Sequence, residues 1–210
     1  MIRVLIVDDH EVVRRGLKSL LGGESDVVVA AEAGNGHEVF RALRRNHFDV
    51  AVLDISMEGE SGLDLLPQLR KQHPKLPVIV LTMHPENRFG FRALKAGATG
   101  YITKDRAPKE LAQAIRKVAT GGTFISEPLV EMLAYGLRSR DAKPIHETLS
   151  DREYQIMRLI ASGKSIKEIA GDLSISGGTV YTHRERILEK MRMRTNVEIA
   201  RYAVQNRLVD

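Results

Sequence analysis

Short runs of consecutive apolar residues, rich in Val and Ile, alternate through residues 1–120 with segments in which apolar residues recur every three or four positions. A strand buried on both faces has no polar side to display, so such runs predict parallel strands, and the longer period predicts amphipathic helices laid over them. The strands fall at Val4–Val7, Val27–Ala31, Val50–Leu53, Val78–Leu81 and Gly100–Thr103. The helices run from Val12 to Leu21, ended by Gly22 and Gly23, and over 38–45, 62–71, 87–96 and 107–119. Five βα units in succession predict an α/β fold with a doubly wound, five-stranded parallel sheet.

The alternation stops at Gly121. Leu129, Val130, Leu133, Ala134 and Leu137 predict one more amphipathic helix over 127–138, and the mixed charges and Pro144 of 139–147 predict an exposed linker. Beyond it the pattern is all helical. Ser150 with Glu153, Ser165 with Glu168, and Thr195 with Glu198 have the spacing of capping boxes, in which a hydroxyl takes the third amide of the helix while the carboxylate returns to the first. The division expected is 1–122, a linker with one helix over 123–147, and an all-α domain over 148–210. Within the last, two helices between Ser165 and Met193 meet at the short turn Leu173–Ser176, the spacing of a helix-turn-helix. Val180, Ile187, Leu188 and Met191 line one side of the second helix, and Gly178, Thr182, Glu185, Arg186 and Glu189 the other, with Tyr181 at the flank.

Composition changes this picture little. The 210 residues include no Cys, which excludes disulfides and thiolate metal sites and suits a reducing cytoplasm. No apolar run reaches the length of a membrane span, and the apolar start meets two acids too soon for a signal peptide. The net charge of +5 is compatible with an anionic partner, yet residues 148–210 carry only 11 Lys and Arg against 8 Asp and Glu. Charge alone does not establish nucleic-acid binding.

The strand ends are more informative. Four of the five runs lead into residue types that phosphoryl chemistry would use: the first into Asp8 and Asp9, the third into Asp54, the fourth into Thr82, the fifth into Lys104. Parallel sheets bind ligands beyond the carboxyl ends of their strands, so these groups are expected to share one edge. Carboxylates so close repel one another unless a cation joins them, and a hard ion with oxygen ligands, Mg²⁺, is the expected one. Lys104 and Thr82 would then hold phosphate oxygens, and Asp54, alone at the end of a central strand, is the expected nucleophile for an aspartyl phosphate. Taken singly, each residue has a plainer explanation: a polar helix start for Asp8 and Asp9, a turn for Thr82, a solvated surface for Lys104, a core aromatic for Tyr101.

Together, these residues resemble the receiver domain of two-component response regulators, a flavodoxin-like fold, over about 1–120. The resemblance implies Asp54 as phosphoacceptor, and Asp8, Asp9, Asp54 and the backbone carbonyl of Ser56 as ligands of Mg²⁺. It further implies Thr82 and Lys104 as the signalling hydroxyl and lysine, and Tyr101 as a switch aromatic. The stretch from Leu149 to Met191 resembles the LuxR-type DNA-binding domain, which places the whole chain with the NarL/FixJ class. The expected DNA contacts are Lys164, Thr179, Tyr181, Thr182, Arg184, Glu185, Arg186 and Lys190. Tyr181 and Glu185 depart from the lysines common at their positions; a carboxylate there suits a cytosine amino group. The implied function is a cytoplasmic transcriptional regulator that takes one phosphoryl group from a sensor histidine kinase, dimerises when activated, and grips an inverted repeat of double-stranded DNA. A haloacid-dehalogenase-like phosphatase would also use Asp, Mg²⁺, Thr and Lys, but its first strand ends Asp-x-Asp, where this one ends Asp8-Asp9.

Overall fold

The computed structural model describes residues 1–57, 61–131, 144–206 and 208–209. The chain divides into two compact units, Met1–Ser139 and Arg140–Asp210.

In the first unit, β1 (Ile2–Val7), β2 (Val27–Ala33), β3 (Val50–Leu53), β4 (Val78–Thr82) and β5 (Gly100–Thr103) form one sheet in the order β2-β1-β3-β4-β5, with every pair parallel. Helices α1 (Glu11–Leu21), α2 (Gly36–Arg45), α3 (Gly62–Gln72), α4 (Glu86–Ala96) and α5 (Ala107–Ala119) alternate with the strands. β3 and β4 are buried at every residue, as uninterrupted apolar runs demand. Val4, Ile6, Val50, Val52, Ile79, Leu81 and Ile102 pack with Leu111, Ile115 and Val118 of α5 in one apolar cluster. Strand order reverses between β1 and β3, which opens the crevice where such sheets bind ligands.

Where sequence and structure disagree at the element ends, they do so by one or two residues. β1 begins at Ile2 rather than Val4, and β2 runs on to Ala33, because β1 pairs with it from Ile2↔Val27 to Val7↔Ala33. Residues 127–131 are helical; the remainder of the helix expected over 127–138, with Leu133, Ala134 and Leu137, and positions 139–143 of the expected linker lie outside the described residues. Pro144 leads into a short 3-10 turn, Ile145–Thr148.

The second unit holds α6 (Asp151–Ala161), α7 (Ile166–Asp172), α8 (Gly177–Met191) and α9 (Asn196–Gln205). All three capping boxes form, at Ser150 with Glu153, Ser165 with Glu168 and Thr195 with Glu198. Its core gathers Ile156, Met157, Ile160, Ile169, Val180, Ile187, Leu188, Met191, Ile199 and Ala203, so α8 buries the side that its periodicity marked.

Candidate functional site

Register brings the polar strand ends level. Val7 pairs with Leu53, and the ladder continues one step as the Asp54 N–H donates to the Val7 carbonyl at 2.8 Å. On the other side Thr82 pairs with Thr103, and the Lys104 N–H donates to the Thr82 carbonyl at 2.8 Å. Asp8, Asp54, Thr82 and Lys104 therefore stand along one edge because each directly ends, or follows, a paired run. The loop after β3 folds back closely: a Cβ on Gly62 would lie 2.1 Å from the Asp54 carbonyl oxygen, so no other residue fits there without moving the backbone.

Lys104 holds the site together. Its Nζ donates to Asp8 Oδ2 and to Asp54 Oδ2, both at 2.7 Å, with Asp8 and Asp54 almost wholly buried. The Ser56 N–H donates to Asp54 Oδ1 at 3.0 Å, and the His10 N–H to Asp8 Oδ1 at 2.8 Å. Burial raises the pKa of Asp54, and Asp8 adds to this, against the pull of Lys104. Burial opposes the charge on Lys104 as well, but the two carboxylates outweigh it and keep the ammonium protonated beyond its usual range.

Asp9 lies beside this pair rather than on the lysine. Its Oδ1 is 2.6 Å from His10 Nδ1, and Asp8, Asp9 and His10 together offer three ligand atoms within 4.8 Å of one another. Sequence reasoning missed His10; its place directly after two acids was the available signal. Oxygen donors from three carboxylates, with one fixed ammonium among them, suit a hard divalent cation better than a softer metal. Ser56 Oγ, two residues from Asp54, is buried without a partner.

Thr82 is fully buried and its Oγ1 accepts from the His84 N–H at 3.3 Å, which ties it to the turn after β4. Tyr101 points inward: it is 1% exposed, and its hydroxyl donates to the His84 carbonyl at 2.9 Å. Burial, with the nearby acids Glu86 and Asp54, pushes the phenol's pKa up, so it stays neutral.

In the helical unit, Thr179, Tyr181, Thr182, Glu185, Arg186 and Lys190 are exposed on α8, Lys164 lies exposed ahead of α7, and Arg184 is half-buried. Three of the four cations among the expected DNA contacts already hold a carboxylate. Lys164 pairs with Asp172, Lys190 Nζ lies 2.6 Å from Glu153 Oε2, and Arg184 lies 2.5 Å from Glu185 Oε1 while its Nε donates to Asn196 at 2.8 Å. Arg186 has no ion pair among the described residues. Glu153 also accepts from the Ser150 N–H at 2.8 Å, so one buried carboxylate serves both the start of α6 and the last turn of α8. Burial pushes its pKa up, but Lys190 and the Ser150 amide outweigh this and leave it low. Burial also keeps His183 neutral, its Nδ1 without a partner.

The start of α8 differs from its neighbours. Ser176 caps the Thr179 amide, yet the position that carries Glu in α6, α7 and α9 carries Thr179, and no acid stands in the first turn. The dipole of this helix end is left open to an anion.

Residues 4–116 match the family model of the response regulator receiver domain, and residues 147–203 that of bacterial regulatory proteins of the luxR family. The chain is 34% identical over 209 residues to the response regulator UvrY of Escherichia coli, covering 99% of this chain and 96% of that one. With the transcriptional regulatory protein UhpA of Salmonella typhimurium it shares 40% over 200 residues, 95% of this chain and 96% of the other. Among solved structures, RcsB of Salmonella enterica serovar Typhimurium, bound to promoter rprA in the presence of the phosphomimetic BeF3-, is similar with a TM-score of 0.61 and 25% identity over 97% of this chain and 99% of that one. A further RcsB structure, of two dimers bound to two parallel DNAs, has a TM-score of 0.58 at 25% identity, covering 97% and 98%.

Proposed function

The chain belongs to the response regulators that join a receiver domain to a LuxR-type DNA-binding domain, and from that membership we propose that phosphoryl transfer to Asp54 governs its grip on promoter DNA. The observation that carries this reading is Lys104 Nζ, 2.7 Å from both Asp8 and Asp54: residues far apart in sequence share one pocket at the sheet's edge. Residues 1–122 are the phosphoacceptor domain, 123–147 the connector and 148–210 the DNA-binding domain.

A sensor histidine kinase supplies the phosphoryl group. An Asp54 carboxylate oxygen attacks phosphorus, the P–N bond to the kinase histidine breaks, and the imidazole leaves with a proton. Asp8, Asp9, Asp54 and the Ser56 carbonyl would hold Mg²⁺, which neutralises charge on the transferred oxygens when bound. Lys104, already protonated and within reach, turns from the carboxylate to a phosphoryl oxygen, and the Thr82 hydroxyl donates to another. Tyr101 in its inward place reports that state to α4 and β5, a local change of charge that biases a two-state element. The transfer is stoichiometric phosphotransfer rather than turnover, which separates this site from a phosphatase.

At the DNA end, α8 enters the major groove with Tyr181, Thr182 and Glu185 toward the bases. Thr179, Arg186 and the paired cations Lys164, Arg184 and Lys190 lie near phosphates. A homodimer formed on activation fits an inverted repeat of double-stranded DNA, and the RcsB dimers on DNA support that arrangement. The protein works in the cytoplasm; among the described residues no helix is long and apolar enough to cross a membrane.

Acetyl phosphate with Mg²⁺ tests the assignment. The wild type is expected to take up close to one phosphoryl group and Asp54→Asn none; stoichiometric labelling of that variant refutes the site.

A further inference from the structure

Two glycines in the first unit stand where their local structure gives no reason for them. Gly90 lies in the middle of α4, where glycine is a poor helix former, and Gly100 opens β5. Both face the segment that follows α5. A Cβ on Gly90 would lie 2.8 and 2.9 Å from the two Cδ atoms of Leu129, and a Cβ on Gly100 would lie 3.2 Å from the Phe124 carbonyl oxygen. Leu129 is fully buried, so its isobutyl group is a knob seated in a notch that the missing Gly90 side chain leaves.

The rest of this segment is tied to the same elements. The Phe124 N–H donates to the Thr99 carbonyl at 2.9 Å, and the Tyr101 N–H donates to the Phe124 carbonyl at 3.0 Å, so Phe124 extends the sheet beyond β5. Lys117 Nζ lies over the Phe124 ring, 5.9 Å from its centroid. Ser126 donates through Oγ to Glu86, the first residue of α4, which also pairs with Arg106. Tyr101 thus touches the connector through its backbone and the β4–α4 turn through its hydroxyl, while Ser126 and Leu129 grip α4 itself.

We infer that residues 124–131 are an intramolecular ligand of the α4–β5 face, docked through Leu129 in the Gly90 notch, and that docking is coupled to the inward position of Tyr101. This rests on the reading of Asp54 and Tyr101 as acceptor and switch. Tyr101 holds the His84 carbonyl through its hydroxyl and the Phe124 carbonyl through its backbone N–H, so one residue joins the inward ring to the seated connector. By linkage, whatever favours the inward state at Asp54 tightens the connector, and loosening the connector weakens binding at Asp54 by the same factor.

The test uses the full chain as wild type, Gly90→Ala, Leu129→Ala and the double variant, titrated with beryllofluoride and Mg²⁺ while amide exchange is followed over 124–131. Neither position touches the acidic pocket. In wild type, beryllofluoride is expected to slow exchange at the Phe124 and Val130 amides. Each single variant is expected to speed it and to weaken beryllofluoride affinity by about fivefold or more, the usual size of such couplings. The double variant, with an alanine where each partner was, is expected to recover part of both. Single variants with wild-type exchange overturn the docking. Faster exchange with unchanged affinity overturns the coupling. A wild type that takes no beryllofluoride overturns the acceptor assignment, and the coupling falls with it, while the exchange rates of the variants still decide the docking.

Discussion

The two charged regions of this chain are built on opposite principles. At the sheet edge stand three carboxylates, Asp8, Asp9 and Asp54, and one ammonium, which holds the two that are buried, Asp8 and Asp54. Around α8 three cations, Lys164, Arg184 and Lys190, each hold an acid of the same unit. The first region lacks positive charge and is suited to a metal ion and a phosphoryl group. In the second the chain's own acids already neutralise the cations, so if these residues meet DNA phosphates as proposed, binding exchanges one set of partners for another and gains less than a count of basic residues implies.

Sharpest within this contrast is Glu153, a buried carboxylate inside the otherwise exposed set. Glu153→Gln removes the charge that both Lys190 and the Ser150 amide use, and is expected to destabilise the helical unit by about 1–3 kcal/mol in thermal or urea melts. Its depressed pKa gives the pH dependence: the contribution is present above the ordinary carboxylate range and is lost as pH falls through the folded value. A wild-type melt at neutral pH, with no shift on acidification through that window, would remove Glu153 from its central place.

Asp54 has the opposite sign. Its pKa is raised, so the stability linked to its proton is present at acid pH and is lost as pH rises through the folded value. Asp54→Asn is therefore expected to stabilise the receiver at neutral pH, read as a higher melting temperature, and the gain should vanish on acidification. A destabilised variant at neutral pH would mean that Lys104 outweighs burial.

Arg186 and Lys190 separate phosphate contacts from internal pairs. Arg186→Ala is expected to lower the slope of log affinity against log salt by about 1 in DNA titrations. Lys190→Ala is expected to lower stability with a smaller change of slope, since its charge is already neutralised within the fold. Equal slopes for both variants would erase the distinction. The smallest effect belongs to Glu185→Gln: freeing Arg184 should strengthen nonspecific DNA binding at low salt by under about 1 kcal/mol, and an unchanged affinity would show the pair to be inert.

Much of the architecture was legible in the order of residues. Uninterrupted Val and Ile runs announce strands covered on both faces, and β3 and β5 occupy the expected spans. All three Ser/Thr-x-x-Glu spacings closed as capping boxes, because a cap is satisfied within four residues and owes nothing to distant packing. Less legible was where each charge would go. Nothing local pointed to Lys104 resting on Asp8 and Asp54, or to Lys190 resting on Glu153. Both partners lie tens of residues away, beyond any local pattern. His10 escaped notice although it adjoins the acids, because a histidine after a strand has no periodicity to mark it.

Local chemistry and periodicity, which act over a turn of helix or a pair of strand residues, determined the elements, their caps and the polar residues at the strand ends. The tertiary structure alone decided which ends are level, since strand register is a pairing between distant segments: Val7 with Leu53, and Thr82 with Thr103. It also decided why Gly90 is a glycine. Leu129 needs the space, and that need exists only once the chain has folded back onto α4.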